Sequence, residues 1–406
     1  MSIADSCLKS RRGPSTITQI RVRVAKTTTA RSAYVSHPCK SVAPRQNNIS
    51  RRTRLGVESL EPRDVPAVYN WVVDTLNDTD DANLNDFNPR DATNDLSLRA
   101  AVQQANFIGG GNTFNITFNP ATFGVPQVLW LTKAMDAFQV PINLTGTGIN
   151  NLAITAGGAE GVFHIKNTSA STITDLTIFD AINNKSVTNN EGTGGGINNR
   201  GNLTLTRVKI NNCRASEEGG GVFTSGNLNM DYCYITNNAT TLPNVGYGGG
   251  LGVASIAQVT LLETEISHNT STSRGGGISI RNTANVLVRS GCLIWDNEAT
   301  HGAGFYNSAA TFRMQGGTIK ENRATDDGGG LMQSGGSSIL DGTDVLLNTA
   351  GKRGGGVYAG AGSVQLRTCT FNNNKAPQGA KVAESVAGLV LVVNCFGLLQ
   401  NEVVVA

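Results

Sequence analysis

The sequence has few charged residues, few aromatic residues and only four histidines. Charged residues make up 16% of its 406 positions and aromatic residues 6%, whereas glycine occurs 48 times. This composition excludes a charged, intrinsically disordered chain and does not fit a helical protein. The seven cysteines show no CxxC spacing and, with so few histidines, they form no zinc-binding pattern.

Long apolar runs are also missing. The longest, GLVLVVNCFGLL at 388–399, is interrupted by Asn394 and is shorter than the roughly 18 residues that a membrane-spanning helix needs. The first 58 residues lack the apolar core of a signal peptide. The sequence therefore predicts no transmembrane segment.

Positive charge is concentrated at the start of the chain. Residues 1–58 contain 12 lysines and arginines but only two acids, and the rest of the chain, with 21 bases and 28 acids, is net negative. A basic block without a periodic apolar face predicts a disordered leader or export region. Such a block can also attract nucleic acid or anionic lipid, but the leader is the favoured interpretation, and no nucleic-acid partner is expected.

A glycine turn recurs along the second half of the chain. It reads TGGGI, EGGGV, YGGGL, RGGGI, HGAGF, DGGGL and RGGGV, with copies 25 to 29 residues apart, so the repeat is about 26 residues long. A phosphate-binding loop would occur once and open a helix, whereas these turns lead into short apolar segments. Glycine is expected here because the turn needs a positive φ. The third glycines are Gly196, Gly221, Gly250, Gly277, Gly304, Gly330 and Gly356.

A second signature, an apolar residue followed three positions later by asparagine, comes after each turn. Its asparagines are Asn238, Asn269, Asn297, Asn322, Asn348 and Asn374, and Cys213 stands at this position in the first copy. Alternating segments such as LTL (203–205) lie between the two signatures, so each repeat predicts three short strands. Strands this short bury their apolar faces only by stacking. The sequence therefore predicts an all-β parallel β-helix, a solenoid of about ten coils with a ladder of asparagine amides.

A capping helix is predicted upstream of the repeats. Residues 97–106 place Leu98, Val102 and Ala105 on one side, where they can cover the N-terminal end of the apolar core. The predicted organisation is a leader over 1–58, a motif, acidic loop and capping helix over 59–112, and the β-helix over 113–406, with its clearest repeats at 194–381.

Three cysteines belong to an inward column of small side chains. Cys233, Cys292 and Cys369 each precede the apolar residue of the second signature by two positions. They fall on coils that are too far apart for disulfides between them, since a disulfide needs Cα atoms within about 7 Å. These three cysteines are expected to be free, buried thiols.

The two alternating signatures resemble the repeat of polymorphic outer membrane proteins, whose motifs are GGA[ILV] and FxxN. The segment VVDTLNDTDD…LSLRAAVQQAN (72–106) resembles the CSLREA segment that precedes many bacterial right-handed β-helices, with Ala100 in place of glutamate. VESLEPRDVPA (57–67) is similar to the LEPR-type motif of exported bacterial surface proteins. These resemblances imply a right-handed, single-stranded β-helix outside the bacterial cell, secreted or associated with the outer membrane, that acts in adhesion without catalysis.

Two rows of outward residues on three successive coils form a candidate ligand-binding surface. In repeat register they are Lys209, Tyr234 and Glu265 in one row and Arg207, Tyr232 and Glu263 in the other. Aromatic faces beside charged hydrogen-bonding groups suit sugar rings, which predicts surface glycans or other cell-surface components as partners. Cross-strand pairing on a solvated sheet explains the same pattern without a ligand.

The acidic run at 78–86 is a candidate calcium site through Asp78, Asp80, Asp81 and Asp86. It lacks the glycine and terminal glutamate of an EF-hand loop, so a solvated loop is the favoured interpretation. No other cofactor is expected.

An enzyme is the alternative function, namely a polysaccharide lyase or glycoside hydrolase of the pectin-degrading β-helix type. The dipeptides Asp326-Asp327 and His301-Gly302 and the pair Arg207 and Lys209 occur in the wrong order for such a hydrolase. No catalytic residue is therefore assigned. The column before the glycine turns, which includes His301, is expected to be a variable outer turn.

The C-terminal coil is rich in apolar β segments. AGLVLVVN (387–394) and EVVVA (402–406) carry few charges, a composition that favours pairing between strand edges. End-to-end self-association through this coil is a further expectation.

Overall fold

The computed structural model describes residues 66–157, 161–185, 192–398 and 402–405. They form a parallel β-solenoid of about ten turns with a spacing of about 26 residues, which confirms the fold predicted from the repeat. The predicted leader and most of the LEPR-type segment lie outside the described residues. No helix in the described ranges is long and apolar enough to cross a membrane.

The strands fall into four columns that run along the solenoid, and all pairing between coils is parallel. The first column contains Phe163–Ile165, Ile197–Asn199, Val222–Thr224, Leu251–Val253, Ile278–Ile280, Phe305–Asn307, Val382–Glu384 and Val404–Val405. The second contains Val68–Val73, Thr113–Phe118, Ile142–Thr145, Asn227–Asp231, Gln258–Leu262, Asn285–Val288, Thr311–Gln315 and Gly388–Val393. Leu331–Asp341 and Val357–Arg367 run through both columns.

The third column carries the candidate surface. It contains Gln127–Trp130, Leu152–Thr155, Tyr234–Thr236, Glu265–Ser267, Leu293–Trp295, Thr318–Lys320, Asp344–Leu346 and Thr370–Asn372. Ala170–Phe179 and Asn202–Asn211 run through the second and third columns. The short fourth column contains Ile182–Asn183, Arg214–Ala215, Ala239–Thr240, Glu298–His301, Arg323–Asp327 and Thr349–Ala350.

The apolar core consists of the inward residues of these strands. Leu203 lies beside Leu228 of the next coil, and Ile210 lies beside Ile235. These side chains are buried, because alternate residues of a strand point to opposite faces. Full burial of one such side chain contributes about 1.5–3 kcal/mol.

The asparagine signature forms a buried hydrogen-bonded column. Asn297 illustrates its geometry: its Nδ2 donates to Asn322 Oδ1 at 2.9 Å and to the Ile266 carbonyl at 3.0 Å, and its backbone N–H donates to Asn322 Oδ1 at 3.1 Å. The amides thus join neighbouring coils and also satisfy backbone groups of the turn. At the first copy, the Cys213 N–H donates to Asn238 Oδ1 at 2.8 Å.

The glycines of each triplet have different roles. The first takes the left-handed conformation, as at Gly275 with φ 65°. The expected positive φ of the turn is thus found at its first glycine, whereas the third glycine does not adopt it. A Cβ on Gly277 would lie 2.7 Å from the Gly304 carbonyl oxygen and 3.1 Å from Asn297 Nδ2. The third glycine is therefore required by close packing against the asparagine column.

The N-terminal end is covered by a helix, as predicted. Leu98–Ile108 is helical, and the Ser97 side chain accepts a hydrogen bond from the Ala100 N–H at its N-terminus. Pro120–Phe123 is also helical, and Leu84–Asp86 forms a 3₁₀ turn. The sequence pattern predicts that the β-helix begins at residue 113. The strand Val68–Val73 already pairs with Thr113–Phe118, so the solenoid begins earlier in the chain.

Candidate functional site

The third column brings one predicted row of residues together. Lys209 lies beside Tyr234, and Tyr234 beside Glu265, in continuous parallel register. These residues alternate with the inward Ile210, Ile235 and Ile266, so their side chains lie on the outer surface. Tyr234 remains 41% exposed, which leaves its ring accessible to a ligand.

The second predicted row occupies a corner between the second and third columns. Arg207, Tyr232 and Glu263 have φ values of 51°, 52° and 46°. This left-handed conformation costs about 1–2 kcal/mol in a residue with a Cβ. A later coil places Gly342, with φ 65°, at the same corner. The three coils of the candidate site therefore keep long side chains where glycine is less strained.

Arg207 is held by a partner that the sequence did not predict. Its Nε and Nη2 donate to the two carboxylate oxygens of Asp175, on the preceding coil, at 2.6 and 2.7 Å. Hydrogen bonding to Asp175 raises the pKa of the guanidinium. The Arg207 side chain is thus directed toward Asp175, while Tyr232 remains 53% exposed at the neighbouring position.

A shallow groove of about 320 Å³ lies on the third column. We call it the third-column groove, and its lining residues are Ile149, Asn150, Lys209, Asn211, Tyr234, Thr236, Asn237, Glu265, Ser267 and His268. Ile149 and Asn150 come from the turn between two earlier strands, so the groove has a wall as well as a floor. The predicted row Lys209, Tyr234 and Glu265 forms part of this lining.

The next coil adds residues that sequence reasoning missed. Glu265 Oε1 accepts hydrogen bonds from Trp295 Nε1 at 3.0 Å and from Ser267 Oγ at 2.8 Å. The Trp295 ring lies edge-on to His268, with ring centroids 4.4 Å apart, and Lys320 Nζ lies 5.1 Å from the Trp295 centroid. These contacts fix the Glu265 carboxylate at the edge of the groove. The repeat register, extended by one coil, would have placed Trp295 beside Ser267.

The third-column groove combines an exposed phenol ring with groups that donate and accept hydrogen bonds. Lys209 supplies a cationic donor, Glu265 a fixed anionic acceptor, and Asn211 and Thr236 neutral polar groups. A flat ligand with a weakly apolar face and many hydroxyls can stack on Tyr234 and hydrogen-bond to its neighbours. The shallow shape suits an extended ligand better than an enclosed small molecule.

The four aspartates of the candidate calcium loop are not brought together. Asp78 pairs with Arg99, Asp80 pairs with Lys133, and Asp81 and Asp86 accept backbone N–H groups of nearby loop residues. Across the described part of the chain, no group of three or more histidine, cysteine or acidic side chains lies close enough to hold a metal ion. The loop instead joins the capping helix to the segment around residue 133.

Asp78 and Arg99 form a buried ion pair that sequence reasoning did not find. Both side chains are 1% exposed. Arg99 Nε and Nη2 donate to the two Asp78 oxygens at 2.8 and 2.9 Å, and Nη1 and Nη2 donate to the carbonyls of Ala134 and Lys133, each at 2.8 Å. This network attaches the helix to the first coils.

The column before the glycine turns is a connected cluster, not the variable outer turn expected from its composition. Arg353 donates to both carboxylate oxygens of Asp327, at 2.9 and 2.7 Å, and lies 4.3 Å from the Tyr358 ring centroid. His301 Nδ1 lies 3.9 Å from Asp327 Oδ2, and burial lowers the pKa of His301. Ion pairs and cation–π contacts thus link successive coils here.

Two nearly buried carboxyl groups lie here, Glu218 in the column and Glu217 one residue ahead of it. Arg281 pairs with Glu218 and lies 4.5 Å from the Tyr247 ring centroid. Burial raises the pKa of both glutamates, and the Glu218 charge adds to the rise at Glu217. The repeat pattern does not reveal this pair, because Arg281 reaches Glu218 across two coils.

Comparison with protein-family models, with curated proteins and with solved structures finds no match to this chain. The class of the protein, a parallel β-solenoid, therefore rests on its own strand pairing. The resemblance of the repeats to polymorphic outer membrane proteins, and of the upstream segments to export motifs, stays a sequence-based expectation.

Proposed function

We propose that this chain is an exported β-solenoid scaffold that binds glycans at a bacterial cell surface without cleaving them. The observation that carries the proposal is the third-column groove, where Lys209, Tyr234 and Glu265 lie in register beside an earlier turn. Location outside the cell, whether secreted or associated with the outer membrane, is supported by the resemblance to exported repeat proteins. Adhesion is the role that such a binding surface would serve.

Arg207 and Asp175 form a cross-strand ion pair that needs no ligand. Two features of the neighbouring residues favour glycan binding over simple cross-strand pairing. Tyr232 stays exposed in a strained left-handed conformation. Glu265 is fixed by Trp295, as a preorganised acceptor would be.

A double variant, Tyr232→Gly with Tyr234→Thr, is expected to abolish glycan binding while leaving the fold intact. The chain already uses both new residues at the matching positions of later coils. Gly342 matches position 232, and Thr318 matches position 234. Loss of the rings removes the stacking surface, which is worth about 0.5–2 kcal/mol per ring. A glycan array identifies the ligand, and calorimetric titration measures its affinity for each variant.

The matched control is Phe107→Thr, which removes a ring of comparable exposure from the capping helix. This control should bind like the unmodified chain, and circular dichroism should show all three proteins folded. Unchanged affinity in the folded double variant rules out this groove as the binding site. Running the array with and without Ca²⁺ also tests whether Asp78, Asp80, Asp81 and Asp86 contribute to binding.

A polysaccharide lyase or hydrolase is the second candidate function. The observation in its favour is the pair Glu217 and Glu218, whose raised pKa values are what a general acid requires. Analysis of the bound polysaccharide after prolonged incubation separates the two functions. Intact chains support the scaffold, and shortened or unsaturated chains support the enzyme.

We also propose end-to-end self-association through the C-terminal coil. Its exposed apolar side chains include Val386, Leu389, Leu391 and Phe396, which are 97%, 62%, 48% and 80% exposed. An apolar strand edge with few charges pairs readily with another chain.

Sedimentation velocity over a range of concentrations is expected to show a weight-average coefficient that rises with concentration. Leu389→Lys should reduce the rise by placing charge in the contact. Val128→Lys, near the other end of the solenoid, should leave it unchanged. A monomer at every concentration contradicts this proposal.

A further inference from the structure

The last two coils carry cysteines at matching positions. Thr370 pairs in parallel with Phe396, and the Phe396 N–H donates to the Cys369 carbonyl at 2.7 Å. Cys395, one residue before Phe396, therefore lies beside Cys369 on the neighbouring coil. Parallel strands are about 4.8 Å apart, which falls within the Cα separation of about 4.4–6.8 Å that disulfides span.

Both thiols face the same part of the core. Cys369 is fully buried, and Cys395 is half-buried and packs against the core from the next coil. A hydrogen bond between the two thiols lowers the pKa of Cys395 and raises that of Cys369. The less buried thiol with the lowered pKa is the one that reacts first.

Two other buried cysteines have no cysteine beside them. The residues that match Cys233 on the neighbouring coils are Val208 and Thr264, and those that match Cys292 are Thr264 and Gly317. Burial raises the pKa of Cys233 to about 12 and that of Cys292 to about 11. These thiols stay protonated at neutral pH and serve as internal controls.

We propose that Cys369 and Cys395 form a disulfide when the chain meets a low-molecular-weight disulfide such as oxidised glutathione. The Cys395 thiolate attacks one glutathione sulfur, which breaks the S–S bond of glutathione and releases one glutathione thiolate. The Cys369 sulfur then attacks the Cys395 sulfur and breaks the mixed disulfide, and the Cys369 proton passes to the second glutathione as it leaves. The two cysteines are oxidised, and the glutathione disulfide is reduced to two thiols.

This crosslink ties the last coil to the coil before it. The strand Gly388–Val393 pairs in parallel with Val357–Arg367 of the preceding coil. Its Leu389, Leu391 and Val393 side chains are exposed, and a strand with so much exposed surface opens more readily than the interior of a solenoid. The disulfide restricts that opening. In the cell its formation rests on the proposed export, because an oxidising compartment favours disulfides. Its formation in vitro does not depend on glycan binding.

Mass spectrometry of the full chain tests the proposal. The reduced protein is incubated with oxidised glutathione, its remaining thiols are alkylated under denaturing conditions, and it is digested with trypsin without reduction. The expected product links the peptide 368–375 to the peptide 382–406 through Cys369 and Cys395. Cys233 and Cys292 should be recovered alkylated. Hydrogen exchange of the amides in Gly388–Val393 should become slower after oxidation.

Two variants serve as matched controls. Cys395→Ser should lose both the linked peptide and the slower exchange, whereas Cys233→Ser should keep both. Recovery of Cys369 and Cys395 as alkylated thiols overturns the proposal. Recovery of Cys395 as a stable mixed disulfide with glutathione, with Cys369 alkylated, also overturns it because the two sulfurs then do not meet.

Discussion

Asn297→Leu is expected to lower the free energy of unfolding by about 2–5 kcal/mol, although leucine has nearly the same shape as asparagine. Asn297 Oδ1 accepts hydrogen bonds from the backbone N–H and the Nδ2 of Asn269, each at 3.0 Å, and its own Nδ2 donates to the Ile266 carbonyl. Leucine leaves the Asn269 N–H and the Ile266 carbonyl without these partners in a buried site. Each such group costs about 1–3 kcal/mol.

Urea unfolding monitored by circular dichroism measures this loss. The matched control is Asn211→Leu, because Asn211 is only half-buried and its side chain accepts hydrogen bonds from Thr236 and Asn237 on the outer surface. The control should lose less than about 1 kcal/mol. Equal losses in the two variants would show that the buried amide column does not hold the coils together.

Arg99→Met is expected to lower the free energy of unfolding by about 3–5 kcal/mol, because it leaves the Asp78 carboxylate buried without its ion-pair partner. Asp78 keeps only the backbone N–H and hydroxyl of Thr132, at 2.6 and 2.7 Å. The carbonyls of Lys133 and Ala134 also lose their guanidinium donors. Methionine keeps the length and apolar stem of arginine, so the loss reports mainly on charge and hydrogen bonding.

Lys133→Met is the matched control for this prediction. Its ion pair with Asp80 is equally short, at 2.8 Å, but the two side chains are 55% and 53% exposed. An exposed pair of this kind contributes about 0–1 kcal/mol. Thermal or urea unfolding of both variants gives the comparison. If Arg99→Met is no more destabilised than Lys133→Met, the buried pair is not what attaches the capping helix.

The repeat made the columns of the solenoid predictable from the sequence. Because the glycine turn and the asparagine signature recur about every 26 residues, residues at equal offsets lie beside one another. This reasoning placed Tyr234 between Lys209 and Glu265, as the structure shows. The same reasoning yields the register of neighbours but not the direction of a long side chain, so the pairing of Arg207 with Asp175 went unpredicted.

Features outside the repeat could not be read in this way. The burial of Arg99 depends on Lys133 and Ala134 approaching the capping helix from a segment without periodicity. The position of Cys395 was obscured because Gly397 stands where the second signature expects an apolar residue.

Backbone strain was equally invisible to sequence reasoning. Arg207, Tyr232 and Glu263 adopt a conformation that their residue types disfavour. Pairing with the coils on either side holds them there, so no local sequence preference signals the corner.

Glycan binding with analysis of the recovered glycan tests the central claim most directly. The unmodified chain is titrated with the best glycan from the array, the mixture is incubated, and the glycan is analysed by mass spectrometry. Saturable binding with the glycan recovered intact is the predicted result. Recovery of shortened or unsaturated chains, or the absence of binding to every glycan on the array, would contradict a non-catalytic glycan-binding scaffold.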